Sequence, residues 1–406
     1  MRIRYFTGWN VVGATFVMAF LSFGLGFYGV TVYVATFQRL YGWSAATVSA
    51  PVTLYYVAGA LLTASIGGVY ERLGPRAVVV AGSVAMAAGV AALGAVTRPW
   101  QLYPAFLVMA VGWGSMSGAA INIILAPWFQ RRRGLAVSIA FNGATLGGVI
   151  IAPALIPLIE VIGFARALAA AALALLAVLL PVAGGVMRRD PAELGLIPDG
   201  LPGLSASAGP AVAGGPAWRT ALRTWRFWSV SAPFALGLAA QVGVLTHLVA
   251  LVTPTLGAGG AARAVSVTTG AALIGRLATG LVVDRLNRRL VSSATLAIQI
   301  LGLAMLARPT STVVVYGGCV LFGLGVGNLT TLPGLILAVE WPRERFSALV
   351  GLVVGINQVT FAFGPSLVGV IRDGAGAYGP ALGACMVLQA IAAAMIVLGP
   401  GAPSTR

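Results

Sequence analysis

Lysine is absent from the 406 residues, histidine occurs once, cysteine twice, and aspartate and glutamate together number nine. Each shortage removes a class of protein. One histidine and two cysteines leave no metal centre or disulfide framework to build. Charged residues make up 8% of the chain, against roughly 25% in soluble domains, so water is not its main solvent. An enzyme site in such a chain would need paired acids, a nucleophile with its base, or metal ligands at one depth. Those parts are missing, so neither catalysis nor a cofactor nor a metal is expected. A channel would need a ring of like groups around an axis, and none can be assembled.

What is abundant is apolar: 59% of the residues are hydrophobic. Runs of about 20 apolar residues, each able to cross about 30 Å of hydrocarbon as a helix, recur along the length. Twelve are placed at 9–36, 47–69, 76–96, 100–126, 133–157, 165–187, 227–253, 264–283, 289–307, 312–338, 347–371 and 378–399. Their apolar content is continuous and does not alternate as barrel strands do, so the fold class is an all-α membrane protein. The first run follows Arg2 and Arg4 but is too long for a signal-peptide core, and it reads as a retained span. Cys319 and Cys385 fall within apolar helices, where packed thiols are expected.

The net charge of +16 raises the question of nucleic acid, and the distribution of arginine answers it. With the N-terminus in the cytoplasm, 18 arginines lie on that side, six (39, 98, 166, 263, 308 and 372) lie on the other, and Arg276 falls within a span. This asymmetry follows the positive-inside rule and puts both termini in the cytoplasm. Nucleic-acid binding is not needed to account for it. A multi-pass chain in a cell inner membrane is expected, acting as a monomer.

A shift of 213 residues aligns Gly67 with Gly280, Arg72 with Arg285, Tyr103 with Tyr316, Gly112 and Gly114 with Gly325 and Gly327, Trp128 with Trp341, and Arg132 with Arg345. One ungapped offset marks a duplicated six-helix unit. The division expected is an N-terminal bundle at 1–187, a cytoplasmic linker at 188–226 rich in proline, glycine and serine, and a C-terminal bundle at 227–406. Two such bundles rocking about a midplane site are a physical scheme for secondary transport.

After the second and eighth helices come Gly67-Gly-Val-Tyr-Glu71-Arg72-Leu-Gly74-Pro-Arg76 and Gly280-Leu-Val-Val-Asp284-Arg285-Leu-Asn287-Arg288-Arg289. Both resemble the G-x-x-x-D-R-x-G-R-R loop signature of the major facilitator superfamily, at the two places where that family carries it. The resemblance implies a major facilitator fold with alternating access. Glu71, Arg72, Arg76, Asp284, Arg285, Arg288 and Arg289 are the candidate gating residues, because acid–arginine pairs at helix ends can hold one access state closed. The plainer reading is a set of positive-inside anchors in tight turns. Gly8-Trp9, Tyr41-Gly42-Trp43-Ser44 and Trp128-Phe-Gln-Arg131-Arg132-Arg133-Gly134 resemble a narrower branch, the monocarboxylate transporters and oxalate:formate antiporters.

Arg276 lies eight residues before Asp284, about 12 Å along its helix from the cytoplasmic end and so near the midplane. Burying it costs at least about 2.5–3.5 kcal/mol, so it should face a cavity. Its planar fork matches a carboxylate. The structural alternative is that it ties neighbouring carbonyls together. The resemblance favours the first reading, since arginine on the eighth helix anchors the anion in these carriers. The chain also departs from that branch: Ala272 stands where animal monocarboxylate carriers keep an aspartate, their first-helix lysine is missing, and 347–371 lacks the lysine of the oxalate carriers. One buried cation balances one negative charge best. The expected partner is therefore a small monocarboxylate such as lactate or pyruvate, with a dicarboxylate or formate exchanger and a hydrophobic-solute effluxer as the alternatives. An effluxer of cationic drugs would call for a cavity acid, and no acid lies within the placed spans.

Without an intramembrane acid, proton coupling falls to His247, the one histidine, whose ordinary pKa of about 6.5 suits the task. Against this stands an interfacial histidine bonded to a carbonyl. Entry of the substrate with its own proton, or anion exchange, remains an alternative. Asn142, Asn328, Asn357, Gln358 and Gln241 lie near mid-span and can either orient a substrate or bond between helices. The first four are carried as substrate-binding candidates together with Tyr28 and Phe141, while Tyr55 and Trp113 are further wall candidates. Pro153 and Gly364-Pro365 are expected to bend their helices.

Overall fold

The structure, a computed structural model, describes residues 6–130, 132–187, 191, 198, 221–283, 285–341 and 343–400, without the side chains of 343–348. Of the expected linker only residues 191, 198 and 221–226 are described, and Asp284 and Arg131 lie outside the described residues.

All regular structure among the described residues is helical. Helix α1 (Gly8–Phe23) passes through a π turn at Gly24–Tyr28 into α2 (Gly29–Tyr41). Then come α3 (Ala45–Gly94), α4 (Leu102–Met116), α5 (Gly118–Leu125), α6 (Arg133–Ile162) and α7 (Phe164–Val186). Beyond the linker come α8 (Trp225–Val282), α9 (Arg288–Ala307), α10 (Thr312–Gly325), α11 (Asn328–Glu340), α12 (Arg343–Ala362), α13 (Gly364–Ala375) and α14 (Tyr378–Leu398). Among the described residues these make ten stretches long and apolar enough to cross a membrane.

Two of them are too long for one crossing. Helix α3 has 50 residues and α8 has 58, whereas about 20 residues suffice for about 30 Å. Each is interrupted by a glycine in a conformation that a side chain disfavours: Gly74 at φ 77° and Gly257 at φ 68°. Gly74 belongs to the first loop signature. Its equivalent at the offset of 213 is Asn287, which ends the corresponding stretch differently. The Asn287 side chain caps α9, accepting from the backbone N–H of Arg289 at 2.9 Å and of Leu290 at 3.4 Å.

Several helices outrun the apolar segments expected for them. The helical stretches Arg133–Ile162 and Leu349–Ala375 run on past the expected segments and take in Glu160, Arg372 and Asp373 near their ends. A helix keeps its hydrogen bonds past the point where its sequence turns polar, and hydropathy alone does not mark that end. Helix α6 runs on through Pro153 and Pro157, whereas Gly364-Pro365 opens a new helix, α13.

The chain divides into two compact units, 1–30 with 54–208, and 31–53 with 209–406. Their interiors share the repeat. In unit 1, a Cβ on Gly89 would lie 2.6 Å from the Met109 nitrogen and one on Gly112 would lie 2.6 Å from Met86. In unit 2, Gly302 meets Phe322 and Gly325 meets Gln299 in the same way, each partner 213 residues on. Small residues at these points let helix backbones touch, and close packing of this kind replaces water exclusion as the cohesive force in lipid. Phe227, Val230, Phe234, Leu296, Leu329 and Ile336 form the buried centre of unit 2.

Candidate functional site

In unit 2 the arginine singled out by sequence meets a broken helix. Helix α10 ends at Gly325, and α11 starts at Asn328 after Gly327, which has φ 90°. The Arg276 guanidinium packs on Gly327: a Cβ there would collide with its Nη2 and lie 3.1 Å from Cζ. One residue earlier, Gly275 brings α8 against the Leu324 carbonyl. Asn328, buried, braces the break, with Nδ2 donating to Thr279 Oγ1 at 2.9 Å and to the Leu324 carbonyl at 3.1 Å. Thr279 follows Arg276 by three residues, so the two share a helix face. The cation therefore lies at the break itself, between the carbonyl end of α10 and the amide end of α11, whose dipoles act on it in opposite senses. Arg276 and Asn328 are thus brought together. Asn357 is buried and Gln358 half-buried on α12, which packs against both α8 and α11.

His247 lies in a second polar cluster of unit 2. Its Nε2 is 2.9 Å from Ser49 Oγ and 3.1 Å from the Pro365 carbonyl, and its Nδ1 is 3.2 Å from the Tyr378 hydroxyl. A carbonyl only accepts, so Nε2 carries the hydrogen and Tyr378 can donate to a neutral Nδ1. Nearby, Asp373 accepts from the N–H groups of Ala45 at 3.0 Å and Ala46 at 2.6 Å, capping α3 from 328 and 327 residues away. Arg372 pairs with Asp373 at 2.9 Å and lies over the Tyr378 ring. Thr53 and Ser366 bond at 2.7 Å. Asp373 was not among the residues singled out by sequence; no local motif announces a cap given from so far along the chain.

Unit 1 holds a cluster of aromatic rings. The π turn Gly24–Tyr28, closed by a bond from the Gly29 N–H to the Gly24 carbonyl, tilts Gly26 so that Tyr55 donates to its carbonyl at 2.7 Å. Such turns often occur at functional sites. Around it, Trp113 meets Phe23 at 4.8 Å and Phe27 at 6.0 Å, Phe27 meets Tyr28 at 5.1 Å, and Tyr55 meets Tyr56 at 4.9 Å. Tyr28 also lies on Gly148 of α6, and Phe141 of that helix lies over Gly118, beside half-buried Asn142. Sequence reading found Tyr28, Tyr55 and Trp113 but missed Phe23, Phe27 and Tyr56. The glycines at 24, 26 and 29 were the available signal.

The candidate gating residues divide. Glu71, Arg72, Arg76 and Arg285 are exposed. Arg288 donates to the Leu335 carbonyl at 2.8 Å. Arg289 is buried and grips Glu340 through Nε at 2.7 Å and Nη2 at 2.8 Å, with further bonds to Ser229 and the Ile396 carbonyl. Glu340, absent from the sequence candidates, ends α11 and also takes Arg226 on its carbonyl. Cys319 and Cys385 are free and buried.

A family model described as Major Facilitator Superfamily matches residues 14–365. "MFS-type transporter 1" of Ophiocordyceps sp. is 32% identical over 191 residues, 46% of this chain and 42% of that relative's length. "MFS transporter asaE" of Aspergillus flavus is 24% identical over 375 residues, 91% of this chain and 81% of the relative. Both are fungal and lend no support to placement in a bacterial inner membrane. Among solved structures, a mutant of the nucleoside transporter NupG superposes with a TM-score of 0.74 at 14% identity, covering 96% of this chain and 97% of its own, a likeness of fold. With the family model spanning most of its length and the helical fold of known transporters, this multi-pass membrane protein belongs to the Major Facilitator Superfamily.

Proposed function

We propose that the protein is a secondary transporter of small organic anions, with a monocarboxylate as its substrate, working by alternating access and akin to the monocarboxylate and oxalate:formate branch. The observation that carries this reading is Arg276, half-buried on α8 and packed on the glycine of a broken helix. A guanidinium that costs several kcal/mol to keep in a membrane, and that is held in one orientation, is suited to a carboxylate. Twelve spans follow if the segments on either side of Gly74 and of Gly257 are counted separately. The bundles then fall at 1–187 and 227–406, joined by 188–226, with both termini cytoplasmic by the arginine asymmetry. Asn328 and Asn357 are the amides closest in character to substrate ligands, being buried on the helices around Arg276.

For His247 the bond to the Pro365 carbonyl supports a structural role over proton carriage. For Arg289 the Glu340 pair supports bracing of unit 2 over gating, which leaves Glu71, Arg72, Arg76, Asp284, Arg285 and Arg288 as the gate candidates. A second reading, efflux of a hydrophobic solute, draws support from the ring cluster about Trp113, since aromatic walls bind apolar ligands.

Thermal shift of the purified protein with a panel of acids separates the two. Small monocarboxylates should stabilise the wild type and not Arg276→Gln. Equal response of both proteins, or stabilisation by apolar solutes alone, would overturn the anion reading.

A further inference from the structure

The bonding of Asn328 carries a statement about which anions the site prefers. Its amide orientation is fixed, because the Leu324 carbonyl can only accept and so the Nδ2 end must face it, at 3.1 Å, with Thr279 Oγ1 at 2.9 Å on the same nitrogen. Both hydrogens of the amide nitrogen are then used. The oxygen is turned the other way. Asn328 is 2% exposed, and its Oδ1 receives no hydrogen bond. A buried acceptor in that state is costly, and a ligand that donates to it recovers the loss.

The position of that oxygen matters as much as its state. Asn328 follows Gly327, the residue on which the Arg276 guanidinium lies, and it is bonded to Thr279, one turn along α8 from Arg276. A cation and an orphan acceptor thus stand within a few residues of each other on facing helices. We propose that Asn328 is a specificity-determining residue, its Oδ1 accepting from a hydroxyl or amino group next to the carboxylate held by Arg276. The site then selects hydroxy- or amino-substituted carboxylates over plain ones of the same length. This rests on Arg276 being the anion anchor.

The Thr279 bond assigns a separate task to the other end of the amide. Removing the threonine hydroxyl loosens the brace and leaves Oδ1 in place, so it weakens all anions together. Removing the asparagine takes away both brace and acceptor.

Isothermal titration of the purified full chain with propanoate and 2-hydroxypropanoate, which differ by one hydroxyl, reads this directly. The wild type should bind the hydroxy acid about tenfold more tightly. Asn328→Ala should bring the ratio to about one, whereas Thr279→Val should weaken both acids and keep the ratio. If Asn328→Ala does not fold, Asn328→Leu, closer in volume, gives the same reading. A wild-type ratio near one, or a ratio that survives loss of the asparagine, overturns the proposal. In that case the anchor reading still stands if both acids bind and Arg276→Gln abolishes it. If neither acid binds the wild type, anchor and selector fall together.

Discussion

The two units share a backbone plan and differ in the chemistry laid on it. At the offset of 213, Arg276 corresponds to Thr63, Gly327 to Gly114, Asn328 to Ser115 and Gln299 to Met86. In unit 1 the break between α4 and α5 at Ser117 is met by Thr63, their hydroxyls 3.3 Å apart, and Gly114 packs on Leu62. In unit 2 the break comes three to four residues earlier in the repeat, at Val326–Gly327, and is met by a guanidinium and an amide. Deeper in, unit 1 stacks Phe23, Phe27, Tyr55 and Trp113, whereas unit 2 runs a buried chain of amides, Gln389 to Gln299 at 2.7 Å and Gln299 to Gln241 at 2.8 Å. Duplication supplies equivalent helix contacts in the two units, and substitution at a few positions puts a guanidinium and an amide in unit 2 where unit 1 has hydroxyls.

Substitutions can break this contrast, beginning with the largest effect. Arg289 and Glu340 have side chains 7% exposed, so Glu340→Gln should cost about 3–5 kcal/mol by leaving a buried guanidinium uncompensated. Chemical denaturation in detergent checks it, and Arg289→Met/Glu340→Leu together should recover much of the loss. The ring cluster is the counterpart in unit 1. Trp113→Ala should cost about 3 kcal/mol in the same assay and leave carboxylate affinity within a few-fold of wild type. A large loss of affinity there would make unit 1 part of the anion site.

Sharper still is the glycine pair. Gly327→Ala forces a side chain to φ 90° and into the space of the Arg276 guanidinium. It should cost about 1–2 kcal/mol of stability and, by displacing the cation, about tenfold in carboxylate affinity measured by titration. Gly114→Ala at the equivalent place meets Leu62 and should change stability alone. The smallest effect is expected for Gln299→Met, which writes the unit 1 residue into unit 2. Interhelical side-chain bonds in membranes average about 0.6 kcal/mol, so a change in unfolding free energy above about 2 kcal/mol would show that the amide chain matters more than its bonds suggest.

Much of this was legible before any coordinates. Composition fixes the solvent, arginine placement the orientation expected, and the offset of 213 the duplication, because each is a property of many residues at once. Gly74 was visible in its motif, and Arg276 was conspicuous as a cation in an apolar run. The rest depends on partners distant in sequence. Glu340 reaches Arg289 across 51 residues and Asp373 caps Ala45 across 328, and neither distance carries a periodic signal. The π turn is a local feature, but its consequence, the meeting of rings from α3 and α4, is tertiary. Helices run past the apolar segments where hydrogen bonding outlasts hydropathy, as at Glu160 and Asp373.

The central claim is that one cation in unit 2 holds the transported anion. Counterflow of a labelled small monocarboxylate in proteoliposomes tests it most directly, comparing wild type, Arg276→Lys and Arg276→Gln at matched protein density. The account predicts accumulation by the wild type, a residual signal with lysine, which keeps the charge but not the fork, and none with glutamine. Undiminished counterflow by Arg276→Gln would contradict it.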